Sequence, residues 1–319
     1  NILKNIFAIR TFYVFICISS EVFRLDIRVI LSGLAMSFIF GLSFLFTKNA
    51  LDYVPVYTFL SYRFFVATVA MLVLISSRIV KLEKKPYWKL WKVAIFQPVL
   101  YFIFETNGLK FAASSEAGML IAMIPIVIVV LSPFLLKEKI KWFQIVFAFM
   151  SFIGVVLIIG YGEKMSGSLF GKLLILGAVF SAAFYNIFSR KLSKQFKPEE
   201  ITFFMMITGF LFFTSLSIFT RQFTLNFAKP VIVSALYLGI LSSTVAFFLV
   251  NFMVSKVSPT ISSLFSNLTT IVSVLAGSII RNEVIRPLQI LGMVMILVAL
   301  FGNSFLSTKM KVQESKLVR

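Results

Sequence analysis

The chain has 319 residues, 59% of them hydrophobic and 13% charged, with a formal net charge of +19. A soluble domain carries roughly 45–50% apolar and about 25% charged residues, so too little polar surface is present here to coat a water-soluble globule. One cysteine and no histidine exclude an internal disulfide, a histidine-ligated metal and a histidine-dependent nucleophile.

Residues 1–27 form a poorly defined lead. Thr11 to Ile18 is apolar but bracketed by Arg10 and Glu21, and it is too short to span. It reads as a surface-lying amphipathic lead or a non-native upstream extension. A signal peptide fits less well, because cleavage would leave the new amino end outside. Ten apolar runs follow, at roughly 29–47, 57–76, 93–110, 116–136, 142–160, 170–189, 201–219, 231–249, 259–280 and 286–306. Each is close to the ~20 residues that cross a hydrocarbon core. They are continuously apolar rather than alternating, which favours helices over a barrel. The expected fold is an all-α integral membrane protein with ten transmembrane helices.

Basic residues cluster in short connections, which is the pattern of cytoplasmic loops and not of a nucleic-acid surface. Loop 77–92 alone holds Arg78, Lys81, Lys84, Lys85, Lys89 and Lys92. With the amino end inside, 22 bases fall on the inner side and 8 on the outer. Both termini are therefore expected on the cytoplasmic face of the cell membrane.

The stretch from Gly108 to Leu157 recurs 145 positions later as Met253 to Gly302. Glu138, Ile140, Lys141, Gln144 and Ile145 match Glu283, Ile285, Arg286, Gln289 and Ile290. Five spans per half is an odd number, so the second half enters the membrane the other way up. Such inverted halves meet around a site near the midplane. The expected division is the lead, a first five-helix repeat at 28–160, a second at 161–306 and a cytoplasmic tail at 307–319.

Further residues carry a likeness. They are Phe40-Gly41-Leu42-Ser43 with Lys48, Pro55 with Arg63, and Gly108-Leu109-Lys110-Phe111-Ala112-Ala113-Ser114. The small residues and Pro125 of span four join them, as do the hinges Lys137-Glu138-Lys139-Ile140 and Asn282-Glu283-Val284-Ile285. Over about 29–306 the chain resembles the EamA-like branch of the drug/metabolite transporter superfamily. Asn282 departs from the pattern, where a basic or small residue before the Glu is more usual. The resemblance implies export or exchange of small metabolites by alternating access and leaves the substrate open.

Several polar groups lie inside the spans. Arg63 and Glu105 fall at similar depths, and a lone charge there costs at least about 2–3 kcal/mol, so an ion pair is expected. It reads as a staple of helix register or as a gate or coupling pair. Glu116 follows Ser114 and Ser115 and reads as an amino-terminal cap or as a carboxylate at the external mouth. Glu138 and Glu283 read as ties between neighbouring spans. Ser263, Ser266, Asn267, Thr270 and Ser273 share one helical face of span nine, which faces protein or a solute cavity. Gly118, Ile121, Ala122 and Pro125 form the matching face of span four, with Met119 and Met123 beside it. Pro125 leaves a carbonyl free near mid-membrane.

Tyr185 and Asn186, Ser242 to Thr244, Gly41 and Ser43, and Asn107 complete the polar inventory. The candidate solute-binding set is Gly41, Ser43, Asn107, Met119, Met123, Tyr185, Asn186, Ser263, Ser266, Asn267 and Thr270. Arg63, Glu105 and Glu116 are the candidates for coupling or gating. The expected site lies between spans one, three, four, six, eight and nine. A small amino-acid-like solute is the first choice and efflux of a hydrophobic drug the second. A non-transporting sensor or assembly protein is the competing class. No catalytic set, cofactor, metal or nucleic-acid partner is expected. The partners are the solute and the lipid bilayer, and a homodimer is left open.

Overall fold

The computed structural model describes residues 26–111, 114–137, 140–159, 168–226, 228–272, 275 and 286–317. The lead up to residue 25 and the hinge residues Glu138 and Glu283 lie outside these. Among the described residues every regular element is helical. Six stretches are long and apolar enough to cross a membrane: Val56–Ser76, Ala117–Leu136, Leu169–Leu192, Pro198–Phe219, Lys229–Lys256 and Pro287–Ser307. Shorter apolar helices occupy Ile27–Ser43 and Trp142–Ile158. Large apolar side chains face outward all along the bundle, among them Phe134, Trp142, Leu211 and Phe219, which suits helices immersed in lipid.

The helices are α1 (Ile27–Leu51), α2 (Val56–Ser76), α3 (Trp91–Ala94), α4 (Tyr101–Gly108), α5 (Ser114–Ile121), α6 (Ile124–Leu136), α7 (Trp142–Ile159), α8 (Leu169–Leu192), α9 (Pro198–Phe219), α10 (Lys229–Leu236), α11 (Phe247–Lys256), α12 (Pro259–Ser266) and α13 (Pro287–Leu317). Their ends are set locally. Asp26 Oδ1 accepts from the Arg28 amide at 3.0 Å and Ser168 Oγ from the Gly171 amide at 3.1 Å, which is amino-terminal capping. Pro198, Pro230 and Pro259 sit in first turns, where the missing amide has no intrahelical partner to lose. Residues 307–317, expected as a tail, continue α13 as helix.

Four spans are not plain α-helix, and they come in matched pairs. Wide π-helical turns occupy Ile95–Leu100, between α3 and α4, and Tyr237–Ala246, between α10 and α11. In the first, Gln97 leaves the helical region (φ −148°, ψ 116°) and Pro98 follows. In the second, Thr244 Oγ1 bonds back to the Gly239 carbonyl at 3.0 Å. Span four, expected as one helix, breaks at Ala122 and Met123 between α5 and α6, with Pro125 opening the new helix. Span nine breaks at Asn267, after which 268–272 is helical again. Adding the repeat offset carries Ala122 onto Asn267 and Ile95–Leu100 into Tyr237–Ala246. The irregular backbone is thus part of the repeat. Such backbone persists in a membrane where it lines a cavity or is buried in protein.

The two halves interlock. α2 packs on α9, and α7 on α13. α8, from the second half, lies against α4, α5 and α6. α1, from the first, lies against the Tyr237–Ala246 turn, α11 and α12. At the α7–α13 crossing two glycines meet: a Cβ on Gly154 would lie 2.7 Å from the Gly292 carbonyl oxygen. One cluster of the buried apolar core joins Leu90 and Val93 beside loop 77–92 to Leu192, Phe196, Ile201, Val254 and Ile261.

That loop is pinned to α9. Glu200, fully buried, accepts from the Lys197 amide at 2.7 Å, Lys85 Nζ at 2.9 Å and Tyr87 Oη at 3.0 Å. Glu83 bridges Lys197 at 2.6 Å and Lys85 at 3.0 Å. The Lys197 ammonium, and after it Lys85, holds the Glu83 carboxyl down at about 2. An unfolded glutamate titrates near ~4.3. The folded value is the lower, so the contribution is present above that range and is lost as pH falls toward about 2. The expected result is a thermal-midpoint gap between wild type and Glu83→Gln at neutral pH that closes as pH drops through this window.

Candidate functional site

A cavity of about 160 Å³ lies at the level of the broken helices. Cavities near 150 Å³ accommodate a molecule the size of benzene, so the space suits one small solute. Its wall draws on α1, α2, α4, α5, α6, α8, α11 and α12, on the breaks at Ala122 and Asn267 with the turn after the latter, and on the two π-helical turns. It climbs α1 from Phe40 through Ser43 to Thr47 and α4 from Tyr101 and Phe102 to Glu105. It therefore sits in the half of the bundle away from loop 77–92.

On the other side a polar knot closes the floor. Asn251 Oδ1 accepts from Tyr185 Oη at 3.0 Å and Ser189 Oγ at 2.7 Å, while its Nδ2 donates to Thr202 Oγ1 at 3.0 Å. Asn251 is fully buried, and Tyr185 presents its ring to the cavity. Truncating Asn251→Ala strands two buried hydroxyls, those of Tyr185 and Ser189, while Thr202 Oγ1 keeps its bond to the Pro198 carbonyl at 2.8 Å. The expected loss is about 1–3 kcal/mol, seen as a lower thermal midpoint, with weakened solute affinity because Tyr185 is released.

Arg63 enters the wall from α2 and is 5% exposed. Its Nε donates to Ser243 Oγ at 2.7 Å and its NH2 nitrogen to Ser242 Oγ at 3.0 Å. Its guanidinium lies 4.6 Å from the centre of the Phe102 ring, a cation–π distance. The close approach of α2 needs Gly239, where a Cβ would meet the Arg63 carbonyl oxygen at 2.9 Å.

The expected Arg63–Glu105 ion pair is not made. Glu105 Oε2 accepts from Thr106 Oγ1 at 2.8 Å. Among the described residues no Lys or Arg nitrogen comes within 4.0 Å of its carboxylate. The wide turn at Tyr237–Ala246 explains the difference, since it delivers two serine hydroxyls to the guanidinium. Phe102, one turn before Glu105, takes the guanidinium face. Both charges nevertheless line the same chamber.

The wall is built twice with different chemistry. Phe40 faces it in the first half and Tyr185 in the second; so do Gln97 and Ser242, Phe102 and Phe247, and Glu105 and Val250. Ile121 and Ser266, Ala122 and Asn267, and Ile124 and Thr269 continue the series. Every pair is separated by the repeat offset. Both charges come from the first half, and the second contributes only uncharged groups to the wall among the described residues.

Of the sequence candidates, Ser43, Arg63, Glu105, Tyr185, Asn186, Ser266, Asn267 and Thr270 come together in the wall. Others do not. Gly41 abuts Val272, whose Cγ1 would be 2.9 Å from a Cβ there. Asn107 donates to the Ile103 carbonyl at 2.7 Å and Tyr57 Oη at 3.1 Å. Met119 is buried, and Met123 packs against the Ile124–Ile128–Val179 cluster. Ser263 turns back to the Thr260 carbonyl at 3.0 Å. The break at Asn267 ends the single polar face expected along span nine, and Ser262 lines the wall in place of Ser263. Ser273 and the side chain of Glu116 lie outside the described residues. Phe40, Gln97, Tyr101, Phe102 and Phe247 are wall residues without a polar signal strong enough to single them out. The repeat offset applied to Tyr185 and Ser242 points to Phe40 and Gln97. Among the described residues there is no cluster of potential metal ligands.

The sequence pattern of the EamA-like transporter family matches residues 27–160 and 169–305. The chain is 36% identical over 286 residues to a Bacillus subtilis protein named uncharacterized transporter YcxC, covering 86% of this chain and 92% of the other. A second Bacillus subtilis protein, uncharacterized transporter YetK, is 26% identical over 82% of each chain. An uncharacterized transporter of Archaeoglobus fulgidus is 26% identical over 82% of this chain and 93% of its own length. A solved crystal structure of a protein superposes with TM-score 0.77 at 18% identity, over 90% of this chain and 99% of the other, which is a likeness of fold. Two matched repeats that share both their helix breaks and their cavity positions, in a chain so apolar, place it among membrane transporters: it belongs to the EamA-like transporter family.

Proposed function

We propose that the protein carries a small amino-acid-like metabolite across the cell membrane, by export or exchange, through alternating access. Ten spans form two oppositely inserted five-helix halves in this reading, and both termini are cytoplasmic, as the distribution of basic residues favours. The observation that carries the proposal is that Arg63 and Glu105 share one small chamber without pairing with each other. A guanidinium with fork donors still unused suits a carboxylate. A carboxylate without a basic partner suits an ammonium. A zwitterion satisfies both, with its side chain against Phe40, Tyr185 and Phe247 and its polar atoms near Ser266, Asn267 and Thr270. The two halves then rock about the filled chamber, and Glu116 remains a candidate for the outer mouth.

The rings of the wall favour a second reading, efflux of a hydrophobic cation held by Glu105 alone. Counterflow in proteoliposomes separates the two. A labelled neutral amino acid exchanging in wild type and not in Arg63→Met supports the first. A hydrophobic monocation exchanging equally in both supports the second. Exchange of no solute removes the carrier reading and favours a sensor or assembly role.

A further inference from the structure

We infer that the groove between α6 and α7 is a binding site for one anionic phospholipid, with an acyl chain along the groove and the phosphate at Lys137 and Lys141.

This second cavity, of about 200 Å³, shares no residue with the solute chamber, and every side chain lining it is apolar. Val130, Ile145 and Phe149 in its wall are 57%, 44% and 49% exposed, so it opens toward lipid. Pro133 stands inside α6. Its ring leaves the Val129 carbonyl without the usual helical amide, and Val129 lines the groove as well. On the α7 wall the small Ala148 adds depth.

Ile126, Val130 and Pro133 follow one another at helical spacing, and the next position of that stripe is Lys137. Ile145, Ala148 and Phe149 share a stripe of α7, and the position one turn before Ile145 is Lys141. Each wall therefore ends on a lysine, at the same end of the bundle. Lys137 closes α6 and is exposed. The Lys141 amide donates to Gln144 Oε1 at 2.9 Å, which sets Lys141 at the start of α7. From Ile126 to Lys137 is about 16 Å along the helix. That is the depth of one leaflet, half of a hydrocarbon core ~30 Å thick. The groove begins just past the break at Ala122 and Met123 and finishes at headgroup level.

Charge selects the occupant. Apolar walls alone give a lipid tail no preference for a groove over the surrounding bilayer. Lysines at headgroup level do, because they attract anionic headgroups. Another copy of this chain carries the same net charge of +19 and is no complement to a basic rim. The repeat offset carries Lys137 onto Asn282 and Lys141 onto Arg286. The matched rim in the second half thus has one base instead of two, and one lipid per chain, in one leaflet, is the consequence.

The test needs no solute. The whole chain is purified in detergent and stripped of lipid. Phosphatidylglycerol or phosphatidylcholine with the same acyl chains is titrated in, and adducts are read by native mass spectrometry. One phosphatidylglycerol is expected to bind about tenfold more tightly than phosphatidylcholine. Lys137→Gln is expected to remove most of that preference. Val130→Trp fills the groove from an exposed position and is expected to weaken both lipids. Lys84→Gln takes the same charge from an exposed position of loop 77–92 and is expected to change neither. A phosphatidylglycerol with a photoreactive diazirine in its chain is expected to label peptides of α6 and α7. Equal binding of the two lipids, a preference untouched by Lys137→Gln, or one lost equally in Lys84→Gln would each overturn the site. So would labelling confined to other helices. Dimers that come apart in Val130→Trp, with no lipid retained by wild type, would give the groove to a second copy and overturn it too.

Discussion

Arg63→Met is expected to abolish exchange of a zwitterionic solute while leaving the protein folded. Removing one partner from a buried, hydrogen-bonded charge contact costs about 2–5 kcal/mol, which is roughly a thirtyfold to several-thousandfold loss of affinity. Methionine keeps the apolar stem of the arginine without its head and strands only Ser242 and Ser243, whose hydroxyls can turn back to carbonyls of their own wide turn. Arg63→Lys is the sharper control. Lysine keeps the charge but cannot reach two serines and a solute carboxylate together, because its ammonium lacks the planar fork. Its affinity is expected to fall between wild type and Arg63→Met. Binding is read by the thermal shift that the solute produces, since a ligand of the folded state raises stability by mass action. Equal shifts in all three proteins would remove Arg63 from the site.

Gly292→Leu is expected to have the largest effect on folding. Gly292 and Gly154 bring the backbones of α13 and α7 into direct contact, and a Cβ on either meets the other's carbonyl oxygen. The obstacle is backbone rather than a flexible side chain, so the helices must part along their length. Overpacking costs typically about 1–3 kcal/mol, and here it also opens the contacts of Ile158 and Ile296 on either side. Loss of monodisperse protein in detergent is the expected result. Gly302→Ala, by contrast, meets the ring edge of Phe147, which can rotate, and is expected to be milder. If Gly292→Leu behaves like wild type, the two helices do not bear on one another as described.

The parts of this fold legible in the sequence were those written as contrast. Arg63 and Glu105 stand out because charges are rare in apolar runs, and both do reach the cavity. Ser266, Asn267 and Thr270 stand out for the same reason. The shared register of the two halves was readable from Glu138 and Glu283 to Ile145 and Ile290 because hinges and spans repeat together. What could not be read was backbone irregularity. Nothing in Tyr237 to Ala246 announces a wide turn, so the sequence points Arg63 to Glu105 and not to Ser242 and Ser243. Pro125 hinted at the break in span four, but its counterpart at Asn267 has no proline. Phe102 and Phe247 were hidden by abundance, since 39 of the 319 residues are phenylalanine and one more ring carries no information. Met119 and Met123 were drawn into the site by helical spacing, which the break at Ala122 then invalidated.

The unlike side chains at matched positions of the wall have a consequence for orientation. Two identical halves would offer a guest two equivalent poses, related by half a rotation about the pseudo-symmetry axis. Here the rotated pose sets an ammonium against Val250 and finds no guanidinium for a carboxylate, because the position matched to Arg63 is Thr208, so the degeneracy is lifted. On the proposed function, a zwitterionic solute is expected to keep one heading relative to the bilayer, and mirror-image guests are expected to be told apart because head, amine and side chain each have a distinct wall to touch.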